Sequence, residues 1–225
     1  MDFAWIFVYN TIMDARLAKL PALPLEYDVL KSLYRDYASP KDKIARLVSE
    51  GALIRLKKGL YVVPPRVSTK PIEKGLAANR MIVPSYVSLE TALYLYQMIP
   101  EHVVETRSVT IKRSRLVENA LGRFRYFQVR RDYFSLGIVS LGADEGSFLI
   151  ASPAKALCDL VILTRNLRIQ SLRAMRAFIE DDMRIDLDPI GRLDLSLFDD
   201  VAKMGIKQRE ILLLREYCHG INATV

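Results

Sequence analysis

Residues 39–64, SPKDKIARLVSEGALIRLKKGLYVVP, read as one helix that passes directly into a basic two-stranded hairpin. Ser39 suits the N-cap and Pro40 the first helical position, while Asp42 completes a Ser-x-x-Asp box at the positive end of the helix dipole. Ile44, Leu47 and Val48 recur at helical spacing and form one buried stripe, which leaves Lys41, Lys43 and Arg46 off it. Gly51 fits the left-handed residue that stops a helix. The runs ALIRL and LYVVP then flank Lys57-Lys58-Gly59, the composition of a hairpin tip. A helix followed by a basic hairpin predicts a winged helix-turn-helix.

Charge sharpens that expectation. The chain of 225 residues carries a formal net charge of +7, and residues 39–70 alone hold +6, from eight cations (Lys41, Lys43, Arg46, Arg55, Lys57, Lys58, Arg66, Lys70) against Asp42 and Glu50. Positive charge concentrated on a helix and hairpin suits a phosphate backbone, with the helix free to enter a major groove. The expected duplex-DNA contacts are Ser39, Lys41, Lys43, Arg46, Arg55, Lys57 and Lys58.

On either side the patterns change. Residues 2–18, with Trp5, Ile6, Val8, Tyr9, Ile12 and Met13, are apolar enough for a helix that packs on a second domain or another subunit, or equally one that fills an ordinary core. The run Phe3–Tyr9 is too short and wrongly flanked for a signal peptide or membrane span. Leu25–Tyr37 supplies the helix before the recognition helix, and Ala38-Ser39 the turn between them. The stretch from Pro64-Pro65 to Pro71 reads as a linker, dividing a DNA-binding domain (1–66, with the extra N-terminal helix) from an α+β domain (71–225). In the second domain, helices are expected at 72–81, 89–98, after Ser152-Pro153, at 170–180 and at 207–219. Strands are expected at 102–112, 123–130, 133–141 and 147–151. The fold class is α+β throughout.

The segments VSEGALIRLKKGLYVVP, ANRMIVPSYVSLETALYLYQMIPE, SVTIKRS and FLIASPAKALCDLV occur in an order and spacing that resembles the abortive-infection AbiEi antitoxins, the regulatory halves of type IV toxin–antitoxin pairs. The resemblance runs from about Lys43 to Val161, and PSYVSLETAL and ASPAKALCDL are its more specific pieces. It implies a winged helix that represses the protein's own promoter. It also implies a C-terminal domain that neutralises a nucleotidyltransferase-like toxin without a stable complex. Read from residues alone, the two motifs are architecture: Ser88 caps a helix, and Lys155 faces solvent within reach of Asp159 four residues on.

Little else carries chemistry. The two cysteines, Cys158 and Cys218, sit in apolar helical patterns as reduced thiols of a cytoplasmic protein. His102 and His219 belong to no spaced zinc-ligand set, and the aspartate pairs at 181–182, 186–188 and 199–200 lack a phosphate loop. No catalytic residue, metal or cofactor is expected, so the chain reads as a binding protein rather than an enzyme. Residues 107–131 form a possible second basic surface, with eight cations, among them Lys112, Arg113, Arg115, Arg123 and Arg125, against Glu118. The alternative to an antitoxin is a free-standing winged-helix regulator whose second domain dimerises or binds a ligand.

Overall fold

The computed structural model describes residues 14–65, 67, 71–142, 146–188 and 193–222. Most of the expected helix over 2–18, including all the apolar residues named for it, lies outside the described residues, as do Arg66 and Lys70. The fold is mixed α+β, with two sheets and helices interspersed along the chain.

The first sheet has three antiparallel strands in the order β1-β3-β2. A short α1 (Ala15–Ala18) leads to β1 (Leu25–Glu26), α2 (Tyr27–Leu33), α3 (Pro40–Ser49), β2 (Ile54–Lys57) and β3 (Leu60–Val62). The expected helix over 25–37 is therefore shorter, because its first two residues pair with β3 instead. Local signals set the start and stop of α3: Ser39 Oγ accepts from Asp42 N at 3.4 Å, Pro40 opens the helix, and Gly51 follows it at φ 67°. Leu17, Leu30, Tyr34, Ile44, Leu47 and Leu53 form the core beneath.

The second sheet has six strands in the order β6-β7-β5-β4-β9-β8. These are β4 (Ser85–Val87), β5 (Glu105–Thr110), β6 (Arg115–Asn119), β7 (Gly122–Gln128), β8 (Ile138–Leu141) and β9 (Phe148–Ala151). β5 runs parallel to β7, and β4 parallel to β9; the other pairings are antiparallel. The helices here are α4 (Lys74–Met81), α5 (Leu89–Leu95), α6 (Arg131–Phe134), α7 (Pro153–Leu163), α8 (Leu172–Ala177), which continues into a π-helical turn at Phe178–Asp182, α9 (Leu195–Lys203) and α10 (Gln208–Asn222). Their apolar faces and the central strands share one large core.

Several expectations change here, each for a physical reason. β6 was not foreseen, since an edge strand with exposed polar residues lacks the alternation that marks a half-buried one. The expected strand at 133–141 splits: Arg131–Phe134 is helical, which lets buried Tyr133 point its hydroxyl inward, and only Ile138–Leu141 pairs with β9. Helix α5 ends earlier than expected in a Schellman turn, with Gln97 at φ 61° and Met98 N donating to Leu93 O at 2.8 Å.

The largest correction concerns Lys155, which is fully buried rather than solvent-facing. Its ammonium lies 3.5 Å from Asp159 Oδ1, donates to Tyr133 O at 3.0 Å, and sits against the Tyr133 ring. Asp159 also accepts from Ser88 Oγ at 2.5 Å, Tyr133 Oη at 2.6 Å and Tyr86 Oη at 3.4 Å. Ser88 therefore does not cap α5 with its side chain; it spends its hydroxyl on the buried carboxylate. Burial lowers the Lys155 pKa against the opposing pull of Asp159, and raises those of Tyr86 and Tyr133.

Breaking one member of such a buried set leaves the others stranded. Asp159→Asn should cost about 3–5 kcal/mol in urea unfolding, since it strips the lysine of its counter-charge. Lys155→Met should cost clearly less, because the carboxylate keeps its three hydroxyl donors.

A second prediction rests on Gly75 in α4. A Cβ there would clash with the edge of the buried Phe148 ring. Gly75→Ala should destabilise by about 1–3 kcal/mol through overpacking. Gly220→Ala in α10 meets nothing within 4 Å and should stabilise by a few tenths to about 1 kcal/mol through helix propensity. A denaturant midpoint that stays in place or rises in Gly75→Ala would contradict the packing at Gly75.

Candidate nucleic-acid interface

The exposed stripe of α3 and the hairpin face each other across a groove of about 530 Å3. Lys41, Ala45 and Val48, at positions i, i+4 and i+7, line the helical wall, and Arg55, Lys58 and Gly59 the opposite one. Ile44, Tyr27 and Tyr61 complete the lining. The tip is pinned where Gly59, at φ 80°, accepts from Tyr27 N at 2.9 Å. A tight turn at this φ favours glycine. Lys41, Arg55 and Lys58 are exposed and form no ion pair with the described residues. Three uncompensated cations over an aromatic and aliphatic floor can hold an anionic backbone.

The other four expected contact residues are placed differently. Ser39 is committed to capping α3. Arg46 is exposed on α3, with its guanidinium donating to Glu50 at 2.7 Å. Lys43 turns towards the N-terminal side: its ammonium lies 3.2 Å from Asp14 and 5.2 Å from the centre of the Tyr37 ring, and its side chain is only 21% exposed. Arg16 occupies the same cluster. It bonds Asp36 at 2.6 and 2.7 Å, which holds the Asp36 carboxyl down at about 2. Together these pairs clamp α1, α2 and α3.

Lys57 is the most informative of the four. Pairing between β2 and β3 shifts by one residue between Arg55 and Lys57, so the two cations do not share a direction. Arg55 faces the α3 groove, whereas Lys57 Nζ donates to Met81 O, at the end of α4, at 2.7 Å. Sequence alternation alone would have put both on one face. Tyr27 and Tyr61, which no sequence motif marked as site residues, flank the groove because β1 brings the start of α2 beside the hairpin tip.

The second basic surface is only partly neutralised. Arg123 pairs with Glu118 at 2.9 Å, Arg125 with Glu105 at 2.8 Å, Arg107 with Glu90, and Arg130 with Asp132. Lys112, Arg113 and Arg115 lie at the β5–β6 connection and its exit, where no acid pairs with them among the described residues. Arg115 and Arg125 share a groove of about 360 Å3 with Arg165, a cation the sequence had not singled out. A separate cleft of about 590 Å3 has Glu90, Glu101, Glu105, Asp181 and Asp182 in its walls with Arg107 and Arg184. No group of three or more potential metal ligands clusters among the described residues, and no described helix is long and apolar enough to cross a membrane.

Lys43 and Lys41 make opposite demands on the fold. Lys43→Ala should lower stability by about 1 kcal/mol, from a lost ion pair and cation–π contact, seen as a lower urea midpoint at constant m-value. Lys41→Ala should leave the midpoint in place.

Compared with protein-family models and with curated proteins, the chain matches none.

Proposed function

We propose that the protein is a DNA-binding regulator that reads a duplex through an N-terminal winged helix-turn-helix and represses its own promoter. The observation that carries this is the groove between α3 and the hairpin, where Lys41, Arg55 and Lys58 have no acidic partner among the described residues. The order α1-β1-α2-α3-β2-β3, with sheet order β1-β3-β2, supports the same conclusion. In this arrangement α3 presents Ala45, Arg46 and Ser49 outward as the surface that enters the major groove, and Lys58 meets a flanking phosphate. Arg46, braced by Glu50, is the side chain best placed on that surface to reach a base edge.

The resemblance of residues 43–161 to the AbiEi antitoxins supports a second role for the six-stranded unit, opposing a nucleotidyltransferase-like toxin in the cytoplasm without a stable complex. Binding, not catalysis, is the proposed chemistry. The buried Lys155–Asp159 pair is sealed in the core, where no substrate could reach it.

Both roles can be tested on the full-length chain. The doubly substituted Arg55→Glu/Lys58→Glu protein should lose promoter binding in a gel shift while its near-ultraviolet circular dichroism stays native, because two phosphate contacts become repulsions. The same protein should still rescue cells that express a nucleotidyltransferase toxin encoded beside it. Undiminished promoter affinity would remove the DNA-reading role. Loss of rescue together with loss of binding would mean that protection acts through repression alone.

A further inference from the structure

The hairpin has a second face, turned away from the proposed DNA groove, that is built into the six-stranded unit. Leu56, Leu60 and Val62 are at most 5% exposed and share one apolar cluster with Ala77, Ala78 and Met81 of α4 and with Phe124 and Tyr126 of β7. Three polar bonds frame the cluster. Lys57 Nζ donates to Met81 O at 2.7 Å, Asn119 Nδ2 at the end of β6 donates to Leu56 O at 3.1 Å, and Tyr126 Oη donates to Ala78 O at 2.8 Å. Edge strand β2 of the small sheet thus meets edge strand β6 of the large one through a side-chain amide.

From this we infer that Lys57 and Asn119 are positioning residues: they anchor the back of the hairpin to the six-stranded unit, and so set where Arg55 and Lys58 stand relative to α3. The inference rests on the DNA-reading role proposed above, but it assigns Lys57 a different part from its neighbour. Lys57 caps an orphan carbonyl at the C-terminus of α4, where a cation is favoured by the helix dipole, and contributes no phosphate contact. Asn119 satisfies the Leu56 carbonyl beside the register shift in the β2–β3 ladder. Released from these two bonds, the hairpin retains its apolar footing but loses the directional bonds that fix its orientation.

Salt dependence separates a positioning lysine from a contacting one. The slope of log K against log[salt] counts phosphates neutralised, at about 0.9 per contact on duplex DNA. In the full-length protein, titrated by fluorescence anisotropy on a duplex carrying its own promoter, Lys58→Ala should lower both affinity and slope, the latter by about 0.9. Lys57→Met and the uncharged change Asn119→Ala should each lower affinity several-fold with the slope unchanged. Lys57→Arg, which can still donate to Met81 O, should restore affinity.

Hydrogen exchange on the DNA-free proteins supplies a readout that does not depend on nucleic acid. Amide exchange in residues 54–62 should quicken several-fold in Lys57→Met and Asn119→Ala and stay at the wild-type rate in Lys58→Ala. A slope reduced by Lys57→Met as much as by Lys58→Ala would overturn the inference and return Lys57 to the phosphates. So would unchanged affinity, or unchanged hairpin exchange, in both anchor variants. If the wild-type protein fails to bind the promoter at all, the DNA-reading role fails, and the exchange data still decide whether the two residues hold the hairpin.

Discussion

A carboxylate buried away from the surface depends on hydrogen bonds from the protein, and Asp159 finds them in residues far apart in sequence. Its donors are hydroxyls from β4, from the residue that precedes α5, and from α6, with the Lys155 ammonium one turn back along α7. An isolated charge in such a place would cost several kcal/mol, so the members of the set compensate one another. Together they tie four elements to one point. It also accounts for Leu89, a buried residue held at φ 56°, where a non-glycine residue costs roughly 1–2 kcal/mol: its neighbour Ser88 is tied to the carboxylate.

Around this centre the large sheet forms a platform, and the hairpin of the small sheet is set upon it. The apolar cluster beneath the hairpin is drawn from both parts of the chain, so the proline-containing stretch at 64–71 connects two units that share packing. A hairpin standing alone would be marginally stable in water. Footed on α4 and β7, it presents its outer side with a defined orientation. A defined orientation is what the proposed duplex-reading surface would require.

The distribution of charge follows the same division. Several cations that face other parts of the protein are matched by acids, as at Arg16–Asp36, Lys43–Asp14 and Arg125–Glu105, and Lys57 by a backbone carbonyl. Those lining the α3 groove are unmatched among the described residues. Exposed ion pairs add little stability. Their consequence here is local, since they offset the field of the residues they join and leave the three cations of the groove uncompensated among the described residues.

How much of this was legible beforehand depends on the range of the forces involved. Helix α3 and the hairpin could be read from residues 39–64 because caps, left-handed glycines and apolar periodicity act within a few residues. Ser39, Pro40, Gly51 and Gly59 occupy the positions their chemistry indicated. The same held for Ser152 and Pro153 at the start of α7. The basic groove was foreseen in composition, but only Lys41, Arg55 and Lys58 of the seven expected contacts line it. Lys43 is claimed by Asp14, and Lys57 by a carbonyl 24 positions along the chain. Asp159 and Ser88 are 71 positions apart, and no local pattern distinguishes a lysine bound for the core from one bound for solvent. Propensity and capping belong to the sequence; which charges are matched, and which remain free to meet a partner, was decided only when distant segments packed together and water was excluded between them.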